Sequence, residues 1–123
     1  MEDSPAERLL RRARELVAQS WCHGSDARDA DGRAVDPWDE QAASWSLLGA
    51  LVATLEEEAS AQGELPLEQL AVALYALAEL IDCDSLAAWN DAPGRTRSSV
   101  VAALEQAEAA CERARGELSL SAN

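Results

Sequence analysis

Apolar side chains recur at three- and four-residue intervals through most of this chain, which places them on one side of an α-helix and predicts an all-α fold. Leu9, Ala13, Leu16, Val17 and Trp21 make the first such stripe. Its helix starts at Ser4-Pro5-Ala6-Glu7, where Ser4 and Glu7 have capping-box spacing and Pro5 sits where a missing N–H costs nothing. Trp38, Ala42, Trp45, Leu48, Val52, Leu55 and Ala59, widened by Leu47 and Leu51, make the second. Asp36-Pro37 opens this stripe and Gly63 closes it, which predicts a long central helix packed on two sides. Gly49 within it carries a propensity penalty of about 1 kcal/mol relative to alanine, one that close approach of a neighbouring helix would offset.

Pro66 opens a third helix, with Leu67, Leu70, Ala71, Leu74, Leu77, Ala78 and Ile81 inward and Val72, Ala73 and Ala76 leaving little polar surface opposite. A helix so apolar is buried on most sides or sits at a dimer contact. Residues 82–85 form a cap cluster leading into a short helix with Leu86 and Trp89. A last helix over about residues 97–115 buries Val100, Val101, Leu104, Ala107 and Cys111 and ends at Gly116. Residues 1–123 thus read as a single-domain bundle of four main helices plus one short helix, with 118–123 a loose tail.

The chain has no Phe and one Tyr, so the bulky part of its core falls to Leu, Val, Ile81 and the four tryptophans, Trp21, Trp38, Trp45 and Trp89. A buried indole N–H needs an acceptor, which predicts polar groups among the tryptophans. The formal charge is −13, from 23 acids against 10 basic residues, all of them Arg. A field of that sign excludes nucleic acid and disfavours anionic membranes, and it favours basic partners. Arg8, Arg11, Arg12 and Arg14 concentrate on the first helix and read as a solvated face paired with the acidic remainder. The Glu56-Glu57-Glu58 run reads as a solvated helix end.

Cys22, Cys83 and Cys111 are widely spaced, with no C-x-x-C pair, which suits small buried hydrophobes in a reducing compartment. No signal peptide is apparent, and the longest apolar run, residues 70–77, is too short for a membrane span; the expectation is a cytoplasmic protein. One His and no ligand-spaced carboxylates leave nothing from which to build a metal centre, and no cofactor signature is present. Asp29-Ala30-Asp31-Gly32 imitates the middle of a calcium loop, but Ala27 and Trp38 stand where the outer ligands belong, so it reads as a tight Asp-Gly turn. Cys22 and His23 are neighbours in sequence and are expected to point apart: an exposed His and a packed Cys, not a nucleophile and its base.

The most specific stretch is Trp89-Asn90-Asp91-Ala92-Pro93-Gly94-Arg95-Thr96. Pro93 and Gly94 predict a type II turn over 92–95, Thr96 caps the last helix, and Asn90 and Asp91 satisfy backbone donors at the end of the short one. This elbow is a joint by those rules. It is also the candidate ligand site, in which Trp21, Trp38, Trp45 and Trp89 wall a pocket with Asn90, Asp91 and Arg95 at its edge. Asp91, His23 and Asp39 are the acid/base candidates there.

The segments 32–39, 45–51 (Trp45-Ser46-Leu47-Leu48-Gly49-Ala50-Leu51) and the elbow with Val100 and Val101 resemble an uncharacterised bacterial family known only as a domain of unknown function. That family's pattern has a cysteine where Ser46 stands here. The resemblance spans most of the chain and implies one small cytoplasmic domain without an assigned activity. Two functional readings follow. The first is a protein-interaction or regulatory module, acting through the acidic face of the central helix or the apolar helix over 67–81, the latter also as a homodimer. The alternative is a small-molecule-binding protein or cofactor-independent enzyme, accessory to a biosynthetic pathway. The site it needs requires Trp89 to meet Trp38 or Trp45.

Overall fold

A computed structural model describes residues 4–81 and 85–121. The protein is all-α with one small sheet: α1 (Pro5–Gln19), β1 (Ala27–Arg28), β2 (Ala34–Val35), β3 (Ser44–Trp45), α2 (Leu47–Gln62), α3 (Leu67–Leu80), α4 (Leu86–Asn90) and α5 (Arg97–Ser121). Asp82, Cys83 and Asp84, part of the expected cap cluster and the middle cysteine, lie outside the described residues. Among the described residues, no helix is long and apolar enough to cross a membrane.

The central helix is α1, not α2, because α1 packs against α2, α3 and α5 together. Its Ser4 side chain caps it by accepting the Glu7 N–H, and Ala6, Leu9, Leu10, Ala13, Leu16 and Val17 are all buried. Leu10, Ala13 and Val17 join Leu47, Ala50 and Leu51 of α2, Leu77 of α3, and Val100 and Leu104 of α5 in one core. The arginines of α1 meet the acids expected to balance them. Arg11 and Arg14 reach Glu108 of α5 at 2.7 and 3.4 Å, and Arg12 reaches Glu57 of α2 at 3.1 Å.

The helix expected from Asp36 does not start there. Residues 36–42 make tight turns closed by Asp39 N–H to Asp36 C=O and Ala42 N–H to Asp39 C=O, so the Asp-Pro signal yields turns and no helix. The chain then extends. Ser44 and Trp45 pair with Arg28 and Ala27, while β1 pairs on its other edge with β2, giving an antiparallel order β2-β1-β3. The hairpin between β1 and β2 is the expected Asp-Gly turn: Gly32 has φ 84°, and the Asp29 carboxylate accepts the N–H groups of Asp31 and Arg33. Only at Ser46 does α2 begin, its buried hydroxyl accepting the Gly49 N–H. An oxygen at this position accepts that bond, as an N-cap requires.

Gly49 is glycine because of a loop, not because of a helix. A Cβ there would overlap the backbone carbonyl of Asp26, and that same carbonyl accepts the Ser46 N–H at 3.0 Å. Gly63 ends α2 with φ 82°, as expected. Gly116 does not end α5, which continues to Ser121 beyond the expected limit at 115. One glycine in a helix costs about 1 kcal/mol, too little to stop a segment followed by Glu117 and Leu118 with no proline.

On α3 the buried positions are Ala73 and Leu77, with Ile81 just beyond the helix. Leu67, Ala71 and Ala78, expected inward, face solvent. So do Val72 and Tyr75. When almost every position is apolar, periodicity no longer singles out one face, and packing of α3 on α1 and α5 makes the choice.

Candidate functional site

The elbow is built as the sequence predicts. Gly94 has φ 82°, the Arg95 N–H reaches the Ala92 carbonyl at 3.0 Å, and Thr96 and Ser99 cap α5 reciprocally, each hydroxyl accepting the other's N–H. The two polar residues ahead of it act at long range, however. Asn90 is fully buried, and its side chain is fully bonded. Its Oδ1 accepts from the Trp21 indole N–H at 2.7 Å and from the Leu47 N–H at 3.0 Å. Its Nδ2 donates to the Cys22 carbonyl at 3.2 Å and to the Asp91 carboxylate at 3.1 Å. The same Asp91 oxygen accepts the Gly24 N–H at 2.9 Å. These two side chains therefore bond the loop after α1 and the start of α2 to the elbow, where local Asx turns were expected.

The tryptophans divide around this network. Trp21 lies beside Trp45 through backbone bonds, Cys22 N–H to Trp45 C=O and Trp45 N–H to Ser20 C=O. Trp45 also donates its indole N–H to the Pro37 carbonyl. Trp89 packs against the core, with the Arg95 guanidinium carbon 3.7 Å from its ring centroid and the Arg95 Nε–H bonded to its carbonyl. The Asp91 carboxylate and the Arg95 guanidinium do not pair with each other; the Trp89 carbonyl accepts both the Arg95 Nε–H and the Asp91 backbone N–H. Trp38 stands out at 57% exposure. It shares with Trp45 a groove of about 830 Å3 that neither Trp21 nor Trp89 lines.

Of the acid/base candidates, His23 stands close enough to Asp91 to act on it electrostatically, while Asp39 lies apart on the Trp38 groove. The His23 ring leans on Trp21 at 5.6 Å between centroids, and the Cys22 thiol is directed at the Ser25 carbonyl. Burial pushes the Cys22 thiol above its ordinary pKa, the reverse of what a nucleophile needs. Asp39 accepts the Gln41 N–H within its turn and borders the Trp38 groove. Among the described residues, no cluster of His, Cys, Asp and Glu could hold a metal ion.

Asp91 is held below the usual carboxylate range by the Gly24 N–H first and the Asn90 amide second. An unfolded aspartate titrates near about pH 3.9. The stabilisation from Asp91 is therefore complete above that value and is lost as pH falls through the lower folded one. Asp91→Asn is expected to melt below the parent at pH 7, with a gap that closes below about pH 4. Thermal melts of both proteins across this range check it, and a gap independent of pH contradicts it.

Two surface features stand out, the first missed by sequence reasoning and the second anticipated only as an apolar helix over 67–81. One is the Trp38 groove, hidden because Trp38 reads as a core position of a helix that does not form there. The other is an apolar groove of about 440 Å3 between α3 and α5, lined by Val72, Tyr75, Ala76, Ala110, Cys111 and Ala114 among others. Fold and site together define a small helical bundle locked by a buried asparagine, with exposed apolar surface on α3. The chain belongs to DUF6197, a family of unknown function whose sequence model matches residues 1–110. No curated protein and no solved structure shows a significant match to it.

Proposed function

We propose that the chain is a protein-interaction module whose contact face is the outer side of α3 together with the α3–α5 groove. The observation that carries this reading is the exposure of Val72 and Tyr75, 53% and 69%, at the mouth of an apolar groove. Leu67, Ala71 and Ala78 extend that face along the helix, and the exposed acids Glu68 and Glu79 border it. Contiguous apolar surface with a charged rim is the anatomy of a contact site. The occupant this face suits is an amphipathic helix with basic flanks, since a second copy would set carboxylates against carboxylates on a chain of net charge −13.

A photoreactive benzoylphenylalanine at position 75, in the protein's own host, tests the reading. A discrete cross-linked species containing a different protein, lost when Val72→Glu is added, is the expected result. A cross-link to a second copy, with a dimer by light scattering, would assign the face to self-association. A monomer with no discrete cross-link would sink the proposal. Val72 is exposed, so Val72→Glu should change stability by no more than about 0.5 kcal/mol, and loss of the cross-link then reports the contact.

A further inference from the structure

The groove beneath Trp38 has a wall that the rest of the molecule explains by example. Its apolar side is formed by Trp38, Trp45, Leu16 and Ala53, and Asp39, Glu40, Glu56 and Glu57 border it. This chain satisfies each of those two kinds of surface with the same chemical group, once away from the groove and once on its own rim. A guanidinium lies over the indole of Trp89, where Arg95 stacks at 3.7 Å. A guanidinium also forks onto Glu57, where Arg12 donates through Nε and a terminal nitrogen at 3.1 and 3.2 Å. Trp38 has neither arrangement: among the described residues no cation covers its ring, and Glu40 and Glu56 have no cationic partner.

An indole left 57% exposed beside an apolar floor and unpaired carboxylates matches one ligand chemistry closely. A planar, weakly hydrated cation stacks on the ring, donates in its own plane to carboxylates, and lays its alkyl stem on the floor. We propose that this groove binds an alkylguanidinium, stacked on Trp38 and held by Glu56 and Glu40. The group comes either from a free guanidinium compound or from an arginine side chain of a peptide. The site shares no lining residue with the α3–α5 groove, so it stands or falls apart from the interaction face proposed above.

Titration of the 15N-labelled protein with n-butylguanidinium, read on the indole N–H signals, tests the site. The expected result is a saturable shift of the Trp38 signal, identified by its loss in Trp38→Leu. In that variant, affinity read on the Trp45 signal should fall about tenfold. Glu56→Gln should weaken binding severalfold and reduce its salt dependence. The neutral isostere n-butylurea should bind at least about tenfold more weakly. Both substituted side chains are exposed, so the variants should fold as the parent does. The peptide acetyl-Gly-Arg-Gly-amide separates the sources: tighter binding than butylguanidinium assigns the groove to a peptide arginine, and equal or weaker binding to a free guanidinium compound. No saturable shift up to about 50 mM, which would leave less than roughly 2 kcal/mol of binding free energy, overturns the proposal. Equal binding of butylurea, or no change in Trp38→Leu, overturns it as well. Val72→Glu should leave every one of these readings unchanged.

Discussion

Asn90→Ala is expected to lower the stability of the fold by about 3–5 kcal/mol. The amide it removes lies at 0% exposure and makes four hydrogen bonds. Alanine leaves the Leu47 N–H, the Trp21 indole N–H and the Cys22 carbonyl without their partner in a place water does not easily reach. Each such group carries a penalty of about 1–3 kcal/mol. A domain of this size has about 5–15 kcal/mol in total, so the variant should sit close to its unfolding threshold. Urea denaturation with matched m-values measures the difference. Asn90→Asp should be at least as harmful near neutral pH, because an oxygen would replace the donor that faces the Cys22 carbonyl and the Asp91 carboxylate. A loss under about 1 kcal/mol for Asn90→Ala would show that the surroundings re-pair, and that Asn90 does not hold the three segments together.

Gly49→Ala should destabilise the fold by about 2–3 kcal/mol, although alanine is the better helix former by about 1 kcal/mol. The sign is what makes this substitution informative. Propensity favours it, but the new methyl overlaps the Asp26 carbonyl, which is backbone and cannot rotate away. To make room, the loop before β1 must retreat from α2, and the bond from the Ser46 N–H to that carbonyl is then lost. Thermal melts decide between the two forces. A higher melting temperature for Gly49→Ala would mean that the loop yields at little cost.

These two positions also show where sequence reasoning stops. Signals that act within four residues were legible: Ser4 and Glu7 at the start of α1, Gly63 after α2, the turn over 92–95, and Thr96 with Ser99. That Trp21 needs an acceptor was legible too, but its partner lies 69 residues away, and no local rule points to it. The start of α2 was misplaced because Asp36-Pro37 imitates a helix cap, while the strand that displaces the helix is two residues long and shows no alternation. Gly49 was recognised as needing a close neighbour, but nothing nearby in the sequence identifies that neighbour as the backbone of Asp26. On α3 the mostly apolar sequence foretold an apolar surface, while its buried face was fixed by α1 and α5.

The bonds of Asn90 to Leu47, Cys22 and Trp21 span 43, 68 and 69 residues. Closing loops of that length early in folding is entropically unfavourable, whereas each helix draws on bonds four residues apart. The individual helices should therefore form first, with the asparagine engaging only after the main barrier has been crossed. Interactions made that late leave the refolding rate nearly untouched and govern how long the native state survives once formed.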